Sequence, residues 1–374
     1  SYKAYGPSTQ GILERDPYRL VTEVEGVGFR TADRIASSLG VEAGAPSRIQ
    51  AGLRYLMQEA VEARGHTCLP QELLLQGAVQ ILDAPEEAVA AELMDLLKAR
   101  KLVLREVEGR YMVYLPSYLA AENEVAQRLT LLAREEVVVP FHSVEEAVDM
   151  AAPLASIRLA DEQKQAVQAA LCQGLTAITG GPGTGKTTAI RCILAVLEQA
   201  GLSVELAAPT GRAAKRMGEA TGREARTLHR LLEYGFSSEE DQLSFGRDED
   251  NPLACDALVV DEASMIDLML MQRLLRALSP GCRLILVGDV DQLPPVGAGD
   301  VLRAVLESGV TPAVRLKTIF RQAEQSLIVV NAHRVNRGEM PDLSVKNRDF
   351  FFERKADNES AYQAVEALVM RRIP

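Results

Sequence analysis

Leu175-Thr-Ala-Ile-Thr-Gly-Gly-Pro-Gly-Thr-Gly-Lys-Thr-Thr188 is the stretch whose reading decides the fold. Leu175–Thr179 is a short apolar run of strand length, and the residues from about Lys186 to Ala200 have helical character. Between them, Gly180 to Thr187 fits G-x-x-x-x-G-K-[ST], a strand–loop–helix element that cradles phosphates. Its glycines let backbone amides curl around phosphate oxygens, and the helix N-terminus adds partial positive charge. Gly181, Pro182, Gly183, Thr184, Gly185, Lys186, Thr187 and Thr188 are therefore the expected nucleotide contacts. Lys186 would reach the β- and γ-phosphates, and the Thr187 hydroxyl would ligate Mg²⁺. A chance glycine turn before a helix would carry no Lys-Thr pair.

Such a loop needs an acidic partner at the end of a hydrophobic strand, and Leu258-Val259-Val260-Asp261-Glu262 supplies it. Asp261 would hold Mg²⁺, leaving Glu262 to polarise the attacking water. Taken alone, an aliphatic run ending in two acids is as often a solvated strand end; the phosphate loop decides between the readings. Further candidate strands are Ser203–Ala208, Ala257–Val260, Leu284–Val287 and Ala313–Leu316, separated by helix-length segments. That alternation, from about Ser156 onward, predicts an α/β domain with a parallel sheet flanked by helices. Gln292, in Gly288-Asp-Val-Asp-Gln-Leu-Pro-Pro-Val-Gly297, lies just past a strand end where it can sense the γ-phosphate or orient water, and Pro294-Pro295 stiffens the loop behind it. Arg321, in Leu316-Lys-Thr-Ile-Phe-Arg-Gln322, is a candidate arginine finger, although a lone arginine is more often a surface residue.

Ahead of the α/β part, Ile49, Leu53, Leu56 and Met57, then Ala90, Leu93, Met94 and Leu97, recur at helical spacing. Lys101–Leu115 alternates around Glu108-Gly109, a hairpin signal. Helices followed by a hairpin read as winged-helix-like or as a plain structural hairpin. Ser237–Asp250 holds six acids and one arginine and reads as a solvated surface loop. The chain has 374 residues, 47% hydrophobic and 25% charged, with a net charge of −11. These values exclude disorder and a disulfide miniprotein, and no apolar run approaches the ~18 residues of a membrane span. Five cysteines without a C-x-x-C pair argue against metal and disulfide frameworks and fit a reducing cytoplasm. The opening Ser-Tyr-Lys-Ala-Tyr, without an initiator Met or signal peptide, reads as a fragment. The acidic balance argues against a general nucleic-acid binder.

The phosphate loop, Val259-Val-Asp-Glu-Ala-Ser264, the Gln292 loop and Phe320-Arg-Gln322, in this order, resemble superfamily 1 helicases, over about residues 156–340. The resemblance makes the α/β unit a RecA-like P-loop NTPase domain. It implies that Gln163, in Leu159-Ala-Asp-Glu-Gln-Lys-Gln165, reads adenine. It also implies single-strand DNA contacts from Ala208-Pro-Thr-Gly-Arg-Ala-Ala-Lys-Arg-Met217, with Pro209, Thr210, Arg212 and Lys215. Thr227-Leu-His-Arg-Leu-Leu232 is similar to a further DNA-contacting element of the RecD-like branch, assigning Thr227 and His229. Leu20–Ala36 resembles the helix-hairpin-helix that precedes the motor in stand-alone RecD-like helicases. There Gly26 and Gly28 would admit a DNA phosphate, or form a structural or protein-facing turn.

The charge objection meets a local answer, because Thr210–Leu232 carries an excess of four positive charges within the acidic chain. A basic strip suits a translocase that grips and releases phosphates. The expected organisation is 1–45 helix-hairpin-helix region, 46–120 helical winged-helix-like domain, 121–155 helical linker and 156–340 first motor domain. Residues 341–374, read as one strand and one amphipathic helix, would open a second motor domain or lead to it. The family reading implies a monomeric, ATP- and Mg²⁺-dependent DNA helicase, 5′→3′ as the family is, acting on single strands and single/double-strand junctions in repair or recombination. The alternative is an ATP-dependent DNA-binding switch or nuclease-complex subunit that never unwinds.

Overall fold

The computed structural model describes residues 17–20, 24, 27–139, 141–154, 159–237, 242–320, 325–344 and 349–372. The N-terminal part begins with α1 (Phe29–Ser38) and α2 (Pro46–Glu62). There follow β1 (Cys68–Pro70), α3 (Gln71–Leu82), α4 (Glu86–Lys98), β2 (Val103–Val107) and β3 (Arg110–Tyr114). The three strands form an antiparallel sheet in the order β1-β3-β2. Helices thus precede a hairpin that has a short third strand beside it. The hairpin turns at Glu108 and Gly109, both left-handed (φ 50° and 76°), which is the two-residue turn that matches strand twist. β1 was not anticipated, since three residues carry no readable period. Phe29, Leu53, Met57, Leu74, Leu93 and Val113 fill one core, so α1 belongs to this unit. Arg48 fastens it there, donating to both Asp33 carboxylate oxygens (2.9 and 3.0 Å) and to the Leu82 carbonyl (2.7 Å).

α5 (Pro116–Arg134) and α6 (Val144–Leu154) occupy the stretch expected as a linker, and they are packed rather than bridging. Ala121, Val125 and Leu129 enter the same core as Leu258 and Met271, while Ala147 and Ala151 lie with Ala166 and Ile193. Their apolar faces are wide enough to cover a sheet, which a free connecting helix would leave wet.

The α/β part runs α7 (Asp161–Cys172), β4 (Leu175–Gly180), α8 (Lys186–Gln199), β5 (Val204–Ala208), α9 (Gly211–Thr221), β6 (Arg226–Thr227) and α10 (Leu228–Leu231). A hairpin, β7 (Tyr234–Ser237) and β8 (Gln242–Phe245), then β9 (Ala257–Val260) and α11 (Leu268–Arg276), follow. The remaining elements are β10 (Arg283–Gly288), α12 (Val301–Ser308), β11 (Ala313–Leu316), α13 (Leu327–Asn336) and α14 (Asn358–Arg372). Six strands pair in parallel in the order β11-β4-β10-β9-β5-β6. Alternate residues serve opposite faces: Leu258, Val260, Leu284 and Leu286 point to the α5–α11–α12 side, and Val259, Ile285 and Val287 to the α6–α7–α8 side. Both faces are covered, and the loops at the carboxyl ends of the strands are left to form a site.

Two expectations are corrected here. The acid-rich stretch from Ser237 is not a plain loop, because its neighbours pair as β7 and β8, with Tyr234 opposite Phe245 and Gly235 opposite Ser244. The strand expected after Asn347 does not form in 349–357, where Phe351 and Phe352 are exposed instead of packed into a sheet. Among the described residues no helix is long and apolar enough to cross a membrane.

Candidate nucleotide site and nucleic-acid interface

The phosphate loop leaves fully buried β4 and enters α8, as its sequence requires. Gly185 caps the helix in the left-handed region (φ 80°), and a Cβ there would lie 2.4 Å from Gln163 Nε2 and 2.7 Å from the Phe320 ring. Only glycine fits. Lys186 Nζ donates to the Gly180 carbonyl (2.6 Å), and the Thr184 hydroxyl to the Gly181 carbonyl (2.8 Å). The lysine is thus held over the loop that would receive phosphates. Gln163 is buried; its Nε2 donates to the Gly185 carbonyl (3.1 Å) and its Oε1 accepts from the Ala160 amide (3.0 Å). The side chain expected on adenine also props the loop.

A cleft of about 800 Å³ brings together Gly181, Pro182, Gly183, Gly185, Lys186, Thr187 and Thr188 with Asp261, Glu262 and Gln292. Thr184, expected among the contacts, is buried beneath the loop instead. β9 delivers the acids. Asp261 Oδ1 accepts from the Glu262 amide (2.9 Å), and Glu262 sits in the left-handed region (φ 53°). Burial raises the Asp261 carboxyl above its ordinary value, while the Glu262 amide and the charges of Lys186 and Arg216 pull it back down. Glu262 Oε2 is buried without a hydrogen-bond partner. A carboxylate oxygen in that state costs free energy unless something arrives to bond it. Donors of this kind, Thr187 and Asp261, suit a hard cation such as Mg²⁺.

Gln292 rides on a loop anchored at buried Asp289, whose carbonyl accepts from the Gln292 amide (3.2 Å), and Arg303 donates to the neighbouring Val290 carbonyl. α13 was missed as part of the site. His333 Nε2 pairs with the Pro182 carbonyl (3.1 Å), and Asn336 donates to Asp291 (2.8 Å), so one helix touches both loops. No spacing signal marked His333. Phe320, beside the expected arginine finger, donates its amide to the Gly183 carbonyl (3.3 Å) and lines the cleft. Arg321 itself lies outside the described residues, as does Gly26.

The expected DNA contacts gather at the carboxyl ends of β5 and β6, where Ala208 is in register with Thr227. This register sets Pro209-Thr210 beside Thr227. Both threonines cap helices: Thr210 accepts from the Ala213 amide and Thr227 from the Arg230 amide, each at 3.2 Å. Arg212, Lys215, His229 and Arg230 are exposed. The basic strip is less uniform than its composition, because Arg223 pairs with Glu198 (2.5 Å) and Arg226 with Glu205 (2.8 Å). His229 meets the rings of Tyr234 (centroids 5.5 Å apart) and Phe245 (6.2 Å), an aromatic corner at the foot of the hairpin. Gly28 caps α1 with an ordinary φ of −77° and open space where a Cβ would stand, so no local strain calls for glycine there.

Sheet order, phosphate loop and acid pair define a P-loop NTPase of the RecA type. Residues 163–298 match the AAA domain family, and residues 1–68 match the ATP-dependent RecD2 DNA helicase HHH domain family. The chain is 37% identical to the ATP-dependent RecD2 DNA helicase of Deinococcus radiodurans over 91% of its own length and 47% of that protein's. It is 47% identical to the RecBCD enzyme subunit RecD of Mycobacterium tuberculosis over 39% of this chain and 29% of that one. With the ATP-dependent DNA helicase dda of Enterobacteria phage T4 it shares 38% identity over 33% of this chain and 28% of that one. The chain belongs to the RecD-like branch of the superfamily 1 helicases. It spans about half the length of the first of these relatives and under a third of the other two.

Proposed function

We propose that this chain is the nucleotide-hydrolysing part of an ATP-driven DNA helicase, moving 5′→3′ on single-stranded DNA and opening single/double-strand junctions in DNA repair or recombination. It works as a monomer in the cytoplasm. The observation that carries this reading is the convergence of Lys186, Thr187, Asp261, Glu262 and Gln292 on one cleft. The identity to a protein named as a DNA helicase supports the substrate. Lys186 would exchange the Gly180 carbonyl for phosphate oxygens. Thr187 and Asp261 would hold Mg²⁺, which neutralises phosphate charge when bound. Glu262, with one oxygen unpartnered, would take the proton of the attacking water, and Gln292 would orient that water. Arg321 would add transition-state charge. DNA would lie across Pro209, Thr210, Arg212, Lys215, Thr227 and His229, with Gly26 and Gly28 offering a second, N-terminal contact.

The test is ATP hydrolysis by the protein that contains this chain, with and without single-stranded DNA, beside separation of a duplex bearing a 5′ tail. Stimulated turnover with strand separation is expected. Turnover indifferent to DNA, with the duplex left intact, would overturn the helicase reading.

A further inference from the structure

α9 presents two faces. Ala213, Arg216, Met217 and Ala220, spaced as i, i+3, i+4 and i+7, line the nucleotide cleft. Arg212, Lys215 and Glu219 fall on a different stripe, and Lys215 leans toward Glu219 (3.9 Å). Arg216 is exposed and has no ion-pair or hydrogen-bond partner among the described residues, whereas Lys215, Arg223 and Arg226 each have an acidic neighbour. Asp261 and Glu262 line the same cleft, and the one other cation lining it among the described residues is Lys186. With Arg216 the charges of this lining cancel. Without it the lining is net negative, an environment that opposes an anionic triphosphate.

We infer that Arg216 is a nucleotide-contacting residue, not a DNA-track residue, although it sits inside the basic strip. The inference rests on the nucleotide reading of the cleft. A guanidinium keeps its charge at any working pH and presents several donors in a fixed fork, which suits phosphate oxygens. Of its neighbours on the cleft-facing stripe, Ala213 and Ala220 are small and Met217 is buried, so Arg216 is the one long polar side chain that α9 offers to the cleft. α9 then carries DNA contacts on one stripe and a nucleotide contact on another. A shift of this one helix would be felt at both ligands.

Equilibrium binding separates the roles. Affinity for a fluorescent, non-hydrolysable ATP analogue with Mg²⁺ is measured without DNA, and single-stranded DNA affinity is measured without nucleotide. Arg216→Ala should weaken analogue binding about tenfold or more, the size expected for one charge-assisted contact, and change DNA affinity less than about twofold. Arg216→Lys should recover part of the nucleotide affinity. Arg212→Ala should show the reverse order of effects. If Arg216→Ala weakens DNA binding and leaves analogue binding at the wild-type level, the assignment is wrong. Lys186→Ala keeps the two readings apart. A wild-type protein that binds no analogue, or a Lys186→Ala protein that binds it normally, removes the nucleotide reading itself. Loss in Lys186→Ala with normal binding in Arg216→Ala removes only the inference about Arg216.

Discussion

Between Asp261 and Glu262 the work at the cleft divides by partner. Asp261 already holds the Glu262 amide and lies near Lys186, whereas one Glu262 oxygen is buried and unbonded. A carboxylate oxygen that no protein group engages can accept a proton from water. Glu262→Gln should therefore leave nucleotide binding nearly intact and slow hydrolysis by ~10²-fold or more. Single-turnover hydrolysis measured beside equilibrium binding checks this, and a wild-type rate would remove Glu262 as the base. Most of these residues were legible because a phosphate loop and an acid pair are local strings with a fixed chemistry. Gln163 shows the limit. Its position could be read, but not its bonds, which run to Ala160 and to Gly185, twenty-two residues away. His333 left no mark at all: a histidine on a helix declares nothing until the chain folds it against Pro182.

Elements behave differently from strings. The strands β9 and β11 match the sequence expectation residue for residue: β9 is buried throughout, and β11, at the sheet edge, alternates exposed and buried residues. The basic strip was legible in charge but not in pairing, since Glu198 and Glu205 come from α8 and β5. That pairing sharpens the DNA prediction. Arg212→Ala with Lys215→Ala should weaken single-strand affinity for all sequences alike and flatten its salt dependence. Arg223→Ala with Arg226→Ala should alter the salt slope much less, because those guanidinium groups already face carboxylates. Titrations at several salt concentrations distinguish the two pairs, and equal slopes for both would refute the division. At α5 the prediction concerns pH. Glu124 accepts from Arg276 (2.5 and 2.6 Å), Gln272 (2.7 Å) and Arg128 (3.0 Å), and the Arg276 guanidinium first of all lowers its carboxyl to about 2. A lowered folded value stabilises the protein above the unfolded value of 4.5 and loses that contribution as pH falls toward 2. Glu124→Gln should cost about 2 kcal/mol at neutral pH, a deficit that narrows between about pH 5 and 3. Urea unfolding across that range is the check; a deficit independent of pH would mean that packing, not charge, is lost.

At the scale of the whole molecule, the described residues build one six-stranded parallel sheet with one phosphate loop. Stepping along a strand needs two gripping surfaces whose separation changes with nucleotide state, and one packed α/β layer does not change shape that way. Residues 1–374 alone are therefore expected to bind ATP with Mg²⁺, to turn it over slowly, to gain little from single-stranded DNA, and to separate no duplex. An unwinding assay on this chain beside the longer protein decides the matter, and robust strand separation by 1–374 would refute it.

The loop that carries Gln292 continues through Pro294 and Pro295 to Gly299, whose amide donates to the Gly65 carbonyl (3.1 Å) in the N-terminal unit. Leu293 and Val296 project into solvent along the way, and two fixed proline torsions leave the span little slack. The loop is a tether between two parts of the chain: its Gln292 end lines the nucleotide cleft, and its Gly299 end is hydrogen-bonded to the N-terminal unit.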